Sequence, residues 1–232
     1  IGVRLVGSEM CIRDSTTPPT TTLTAGANTQ LLTCQSNSFV DNSSNNSTIA
    51  AGSTTVKPLA VSPFTPTANT GLTYSTTTFG GSMYFDGNGD YLTTSSGNQF
   101  VFGTGNFTIE CWAYFTSFPS STVFISNWVN ASGSYTTGQW ELGTGNSSGQ
   151  ITFVWATGSS TTSSLTSSSN PSLNSWNHIV VTRNNGTITM YLNGVNVGST
   201  SMATTLGVTG SNAIGYQQVN SAQYFPGYLS LI

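Results

Sequence analysis

The stretch Trp176-Asn177-His178-Ile179-Val180-Val181-Thr182-Arg183-Asn184-Asn185-Gly186-Thr187-Ile188-Thr189-Met190-Tyr191-Leu192-Asn193-Gly194-Val195-Asn196-Val197 decides the fold. Runs rich in β-branched and aromatic residues are interrupted twice by Asn-Gly, at 185–186 and at 193–194. A two-residue type I′ turn needs positive φ at both central positions, which Asn and Gly tolerate, so two successive β-hairpins are expected.

The same signal extends towards the N-terminus. Phe107, Ile109, Cys111, Ala113 and Phe115 alternate with Thr108, Glu110, Trp112 and Tyr114, the period of two that strands require. Val123 to Trp128, Gln139 to Leu142 and Gln150 to Ala156 read as three more strands. Met83-Tyr84-Phe85 is followed by the turn Asp86-Gly87-Asn88-Gly89-Asp90 and then by the strand-like Tyr91-Leu92-Thr93-Thr94. Leu31-Leu32-Thr33-Cys34 is expected to be a strand. Val56 to Phe64 is expected to be an edge or crossing segment, because Pro58 and Pro63 cannot donate to a central ladder. Asn212 to Tyr216 and Gly227 to Ile232 finish the visible strands, and the last of these stops without a turn signal, as a truncated end would. Asp41 to Asn46 and the Ser/Thr-rich Ser159 to Asn170 read as loops. No stretch keeps helical spacing, so the chain is expected to be an all-β sandwich or jelly roll.

Composition narrows the function. Charged residues make up 5% of the 232, with 4 Lys and Arg against 7 Asp and Glu, so there is no basic stripe to neutralise a phosphate backbone. Nucleic acid is excluded as a partner, and so is electrostatic attachment to anionic lipid. No run of eighteen apolar residues would span a membrane. Hydrophobic residues at 36% are too many for a disordered chain.

Residues 1–15 break this composition, holding Arg4 and Arg13 beside Glu9 and Asp14. The run Ser8-Glu9-Met10-Cys11-Ile12-Arg13-Asp14 resembles the in-frame translation of a sequencing-library adapter, and residues 1–15 are expected to form no part of the fold. Residues 16–30 read as a linker, 31–69 as an inter-repeat or first-strand segment, and 70–232 as the domain proper. Cys34 and Cys111 stand on strand-like runs and suit either one bridge or two small apolar roles.

Four motifs occur in order: Tyr84-Phe85-Asp86-Gly87 with Asp90-Tyr91-Leu92; Phe102-Gly103-Thr104-Gly105-Asn106-Phe107-Thr108-Ile109-Glu110; Trp176 to Arg183; and Tyr191-Leu192-Asn193-Gly194. Together they resemble laminin-G-like domains of the concanavalin A-like lectin/glucanase superfamily. The resemblance covers about residues 70–232 and implies a two-sheet antiparallel jelly-roll sandwich. Residues 31–64 resemble the segment before such domains in tandem-repeat surface proteins of marine phages and bacteria. That implies an extracellular or virion-surface location, with neighbouring repeats of the same parent chain as partners. In that family a closing strand follows Gly-Tyr-Leu, so an unpaired sheet edge is expected here.

Candidate chemistry is sparse. Outside residues 1–15 the acids are Asp41, Asp86, Asp90, Glu110 and Glu141, and no pair has the spacing of a glycosidase acid and nucleophile. No catalytic residue is assigned. Glu110 is expected to face outward and bond a neighbouring Thr or Arg183. His178, inside an alternating strand with no nucleophile motif nearby, reads as a structural hydrogen-bonding histidine. Asp86, Asn88 and Asp90 stand at positions one, three and five of a loop, which suits either a plain turn or, as the resemblance implies, a rim calcium site. The aromatic margins of the loop Val129 to Gln139 suit stacking on sugar rings while amides bond the hydroxyls. The expected ligand-binding residues are therefore Trp128, Asn130, Tyr135, Gln139 and Trp140, with cell-surface or extracellular polysaccharide as the partner.

Overall fold

The computed structural model describes residues 18–35, 38–52, 56–59, 62–64, 80–128, 135–217, 223–230 and 232. Fourteen strands and no helix occur among them: β1 Ile49–Ala51, β2 Lys57–Leu59, β3 Ser82–Asp86, β4 Leu92–Thr94, β5 Phe107–Phe115, β6 Thr122–Ser126, β7 Trp140–Thr144, β8 Ile151–Ala156, β9 Thr162–Thr166, β10 Trp176–Asn184, β11 Thr187–Leu192, β12 Val195–Ser201, β13 Ala213–Ile214 and β14 Pro226–Ser230. They form two seven-stranded antiparallel sheets. Sheet I runs β1-β4-β13-β6-β7-β8-β9, and sheet II runs β12-β11-β10-β5-β14-β3-β2.

Both Asn-Gly hairpins form as expected. Asn184 pairs with Thr187 and Leu192 with Val195, leaving Asn185-Gly186 and Asn193-Gly194 as two-residue loops. Their φ values are 47° and 77° in the first and 50° and 83° in the second, the positive pair that a type I′ turn demands. In β5 burial alternates strictly, placing Phe107, Ile109, Cys111, Ala113 and Phe115 in the core.

The core lies between the sheets. Phe107 of sheet II meets Phe153 of sheet I with ring centroids 6.1 Å apart, and Phe115 meets Phe124 at 5.6 Å. Trp140 is fully buried against Phe102 and Phe153. β2 occupies an outer edge of sheet II, which is where a strand containing Pro58 can sit.

The structure corrects the sequence reading at several places. Ser159 to Asn170 contains β9, whose burial leaves only Leu165 pointing inward, so a hydroxyl-rich edge strand had the composition of a loop. Leu31 to Cys34 is irregular, because Cys34 takes a φ of 59° that breaks the extension. Thr33 still exchanges two backbone hydrogen bonds with Ile232, at 2.7 and 3.2 Å. The run Gly227-Tyr228-Leu229 belongs to β14, which pairs with β5 on one side and β3 on the other. Gly227 makes that position reachable, since a Cβ there would lie 2.0 Å from the Tyr114 carbonyl oxygen, at a φ of 146°. Cys34 and Cys111 are both free and buried in the same core. Residues 1–15 lie outside the described residues.

Candidate functional site on the outer face of sheet I

The register of sheet I aligns one residue per strand across its outer face. Thr93, Ala213, Ser126, Glu141, Val154 and Ser164 are successive cross-strand partners from β4 to β9. Glu141 faces outward because its neighbours Trp140 and Leu142 both fill the core. After β13 the chain turns at Gly215, with φ at 80° and its N–H donating to the Phe124 carbonyl. This brings the buried Gln217 over the face, where its amide donates a hydrogen bond to Glu141 Oε2. Burial pushes the Glu141 carboxyl up to about 7, an effect that the Gln217 hydrogen bond partly offsets.

Aromatic residues follow the outward row in two places along the chain. Tyr216, immediately before Gln217, stacks on Tyr224 with centroids 4.7 Å apart and planes at 13°, and Tyr91 adds a third ring 5.0 Å from Tyr216. Trp128 follows Ser126, whose hydroxyl accepts its N–H at 3.0 Å, and meets Tyr135 edge to face at 5.1 Å. A carboxyl and an amide held together can bond paired hydroxyl groups, and the half-buried Tyr216 next to Gln217 in the chain offers a ring to an apolar surface.

Of the four expected ligand residues that are described, the structure keeps only one partly open. Tyr135 is half-buried, while Trp128 is 3% exposed and packs against it. Trp140 is 0% exposed, a correction with a plain cause: Leu142 sets the inward phase of β7, and Trp140 shares it. Gln139 is also fully buried, and its Oε1 accepts the Thr136 N–H at 2.8 Å, closing the turn before β7. Asn130 lies outside the described residues.

The other candidates settle into structural roles. Asp86 Oδ1 accepts the Asn88 N–H at 2.7 Å, and the buried Asp90 turns its Oδ2 to the Asp86 N–H at 3.0 Å. Both carboxylates thus brace the turn's own amides, and Asp90 is closed to solvent while Asp86 and Asn88 stay exposed. Among the described residues no group of three His, Cys, Asp or Glu side chains converges as metal ligands. Glu110 bonds His178 Nε2 at 3.2 Å rather than Arg183. The buried Arg183 guanidinium instead donates to the carbonyls of Gly103, Met202 and Thr204. Glu110 lies on the outer face of sheet II and Glu141 on that of sheet I, so the two glutamates cannot flank one bond.

Sequence reasoning missed Glu141 and Gln217. The alternation Trp140-Glu141-Leu142 carried a signal for the first, placing a carboxylate opposite two core residues; nothing local marked the second, which reaches the site only through the turn at Gly215.

The family model of the concanavalin A-like lectin/glucanases superfamily matches residues 86–231, more than half of the chain. The chain belongs to this superfamily. Three solved structures share the superfamily sandwich with it. Domain 4 of AbnA, a GH43 extracellular arabinanase from Geobacillus stearothermophilus in complex with arabinotriose, gives a TM-score of 0.59 at 14% identity, covering 87% of this chain and 91% of that domain. The binding domain of Paraclostridial Mosquitocidal Protein 1 gives 0.57 at 16% identity, covering 87% of this chain and 47% of that one. The binding domain of Botulinum Neurotoxin DC in complex with SialylT gives 0.57 at 13% identity, covering 87% and 46%. The chain thus spans about half the length of the two toxin binding domains. Among curated protein sequences none matches it significantly.

Proposed function

We propose that this superfamily member is a non-catalytic glycan-binding module of an extracellular surface protein, of the kind carried by phage tail fibres or cell-surface adhesins. The observation that carries the reading is the Glu141–Gln217 pair, held on the outer face of sheet I with the half-buried Tyr216 adjoining Gln217 in the chain. Such a site recognises a sugar by a few placed polar groups and an aromatic surface. The separation of the two glutamates onto opposite faces supports binding without hydrolysis. The arabinotriose complex of the similar arabinanase domain makes arabinan a first ligand to try.

A glycan array followed by calorimetry tests this. Neutral oligosaccharides are expected to bind weakly, and Gln217→Ala should weaken binding about tenfold, because a buried carboxyl would lose its partner and the ligand one donor. An array without hits, or affinity that collapses as salt is raised, would instead favour a ligand-free spacer repeat.

A further inference from the structure

We propose that the outer face of sheet II is a second polysaccharide-binding surface, for an extended neutral chain laid across the strands. The cross-strand register sets five residues in one row: Lys57 on β2, Tyr84 on β3, Tyr228 on β14, Tyr114 on β5 and Trp176 on β10. Successive rings lie 5.1, 5.5 and 5.7 Å apart, centroid to centroid. This spacing follows from the roughly 4.8 Å between neighbouring strands, and it is comparable with the length of one hexose unit in an extended chain. Each of the four rings is half-exposed, and Lys57 at the end of the row is exposed.

The chemistry of the row favours a glycan over a protein surface. Three of its four rings are tyrosines, which join an apolar body to a hydroxyl that can bond sugar hydroxyls. Further along the same face the register aligns Thr108, Thr182 and Thr189 with Ser199, a hydroxyl ladder rather than a continuation of the apolar patch that a protein interface core would need. The described charges on this face are Lys57 at one edge, Asp86 at the end of β3 and Glu110, which is bonded to His178, so the face carries no cluster of one sign that would select a highly charged polymer. The inference does not rest on the Glu141 site, which lies on the other sheet.

Adsorption to insoluble polysaccharides tests the proposal. Microcrystalline cellulose, chitin and insoluble mannan are each mixed with the full chain, and the protein left in solution is measured in low and high salt. At least one is expected to deplete the chain regardless of salt, and Trp176→Ala should reduce adsorption severalfold to tenfold. Because these rings pack on one another, Trp176→Met and Tyr84→Leu keep apolar volume while removing the ring face, and both should show the same loss with an unchanged melt. Val101→Ser, at an exposed residue outside both strand rows, should adsorb as the parent does. No depletion by any of the three overturns the proposal, and so does adsorption that all three aromatic variants retain. A concentration-dependent dimer that Trp176→Met dissolves in sedimentation would show that a second copy covers this face, which also overturns it.

Discussion

Two carboxylates set opposite pH slopes on stability. Glu141, raised to about 7 by burial, is stabilising only while protonated. Its contribution is full below the unfolded value near 4.5 and is lost as pH rises through about 7. Asp41 behaves in reverse: burial opposes its charge, but the N–H groups of Ser43, Ser47 and Leu32 and the Ser43 hydroxyl together hold its carboxyl below the usual range. Its contribution is present at neutral pH and is lost as pH falls through its lowered value. Urea midpoints measured against pH should therefore fall on both sides of mildly acidic conditions. Glu141→Gln should flatten the alkaline side between about pH 5 and 8, an effect on the order of 2 kcal/mol, and a parallel curve for the variant would remove Glu141 from this role. Trp140→Ala, by contrast, should cost about 3–5 kcal/mol in denaturant titration at any pH, because it empties a fully buried aromatic site rather than a binding platform. The Cys34 thiol is pushed up to about 12 by burial and Cys111 is raised by the same cause, so neither should react with a thiol reagent at neutral pH until the chain unfolds.

At the scale of the element, what sequence could read and what it could not divide along a physical line. Strands whose information is local were legible: β5 carries its alternation in every residue, and the two hairpins are fixed by Asn185-Gly186 and Asn193-Gly194. Strands defined by their neighbours were not. β9 is an edge strand with one inward residue, and although Gly227 to Ile232 reads as a strand, the interior place of β14 comes from pairing with β3 and β5, far from it in sequence. The site suffered for the same reason. Trp140 belongs to the core because of the phase of β7, while the Glu141–Gln217 contact and the aromatic row of sheet II need cross-strand register, which composition does not encode. Gly227 shows how narrow such placement is. Gly227→Ala puts a Cβ into the Tyr114 carbonyl at a φ that side chains rarely adopt, so β14 must shift away from β5. The variant should melt well below the parent or fail to accumulate folded, and a melt within a degree of the parent would contradict this placement of β14.

For the whole molecule, the sandwich separates its two candidate surfaces by the thickness of a hydrophobic core, with Glu141 and Gln217 outside one sheet and the Tyr84 to Trp176 row outside the other. Sites that share no side chains and lie on opposite layers are expected to act additively. Gln217→Ala combined with Trp176→Met should therefore lower binding to a soluble oligosaccharide only as much as Gln217→Ala alone, and adsorption to an insoluble polysaccharide only as much as Trp176→Met alone. Neither Gln217 nor Trp176 carries a charge, so at a pH where Glu141 is protonated neither loss should depend on ionic strength in a chain with only 5% charged residues. The measurement is a double-mutant cycle carried out with both ligand forms at two salt concentrations. A coupling much above about 0.5 kcal/mol would mean that the sheets communicate through the core, or that one polymer wraps both faces. Additive losses would leave a domain able to hold a soluble glycan and an extended polymer at once, which is the property an adhesion module needs to bridge two surfaces.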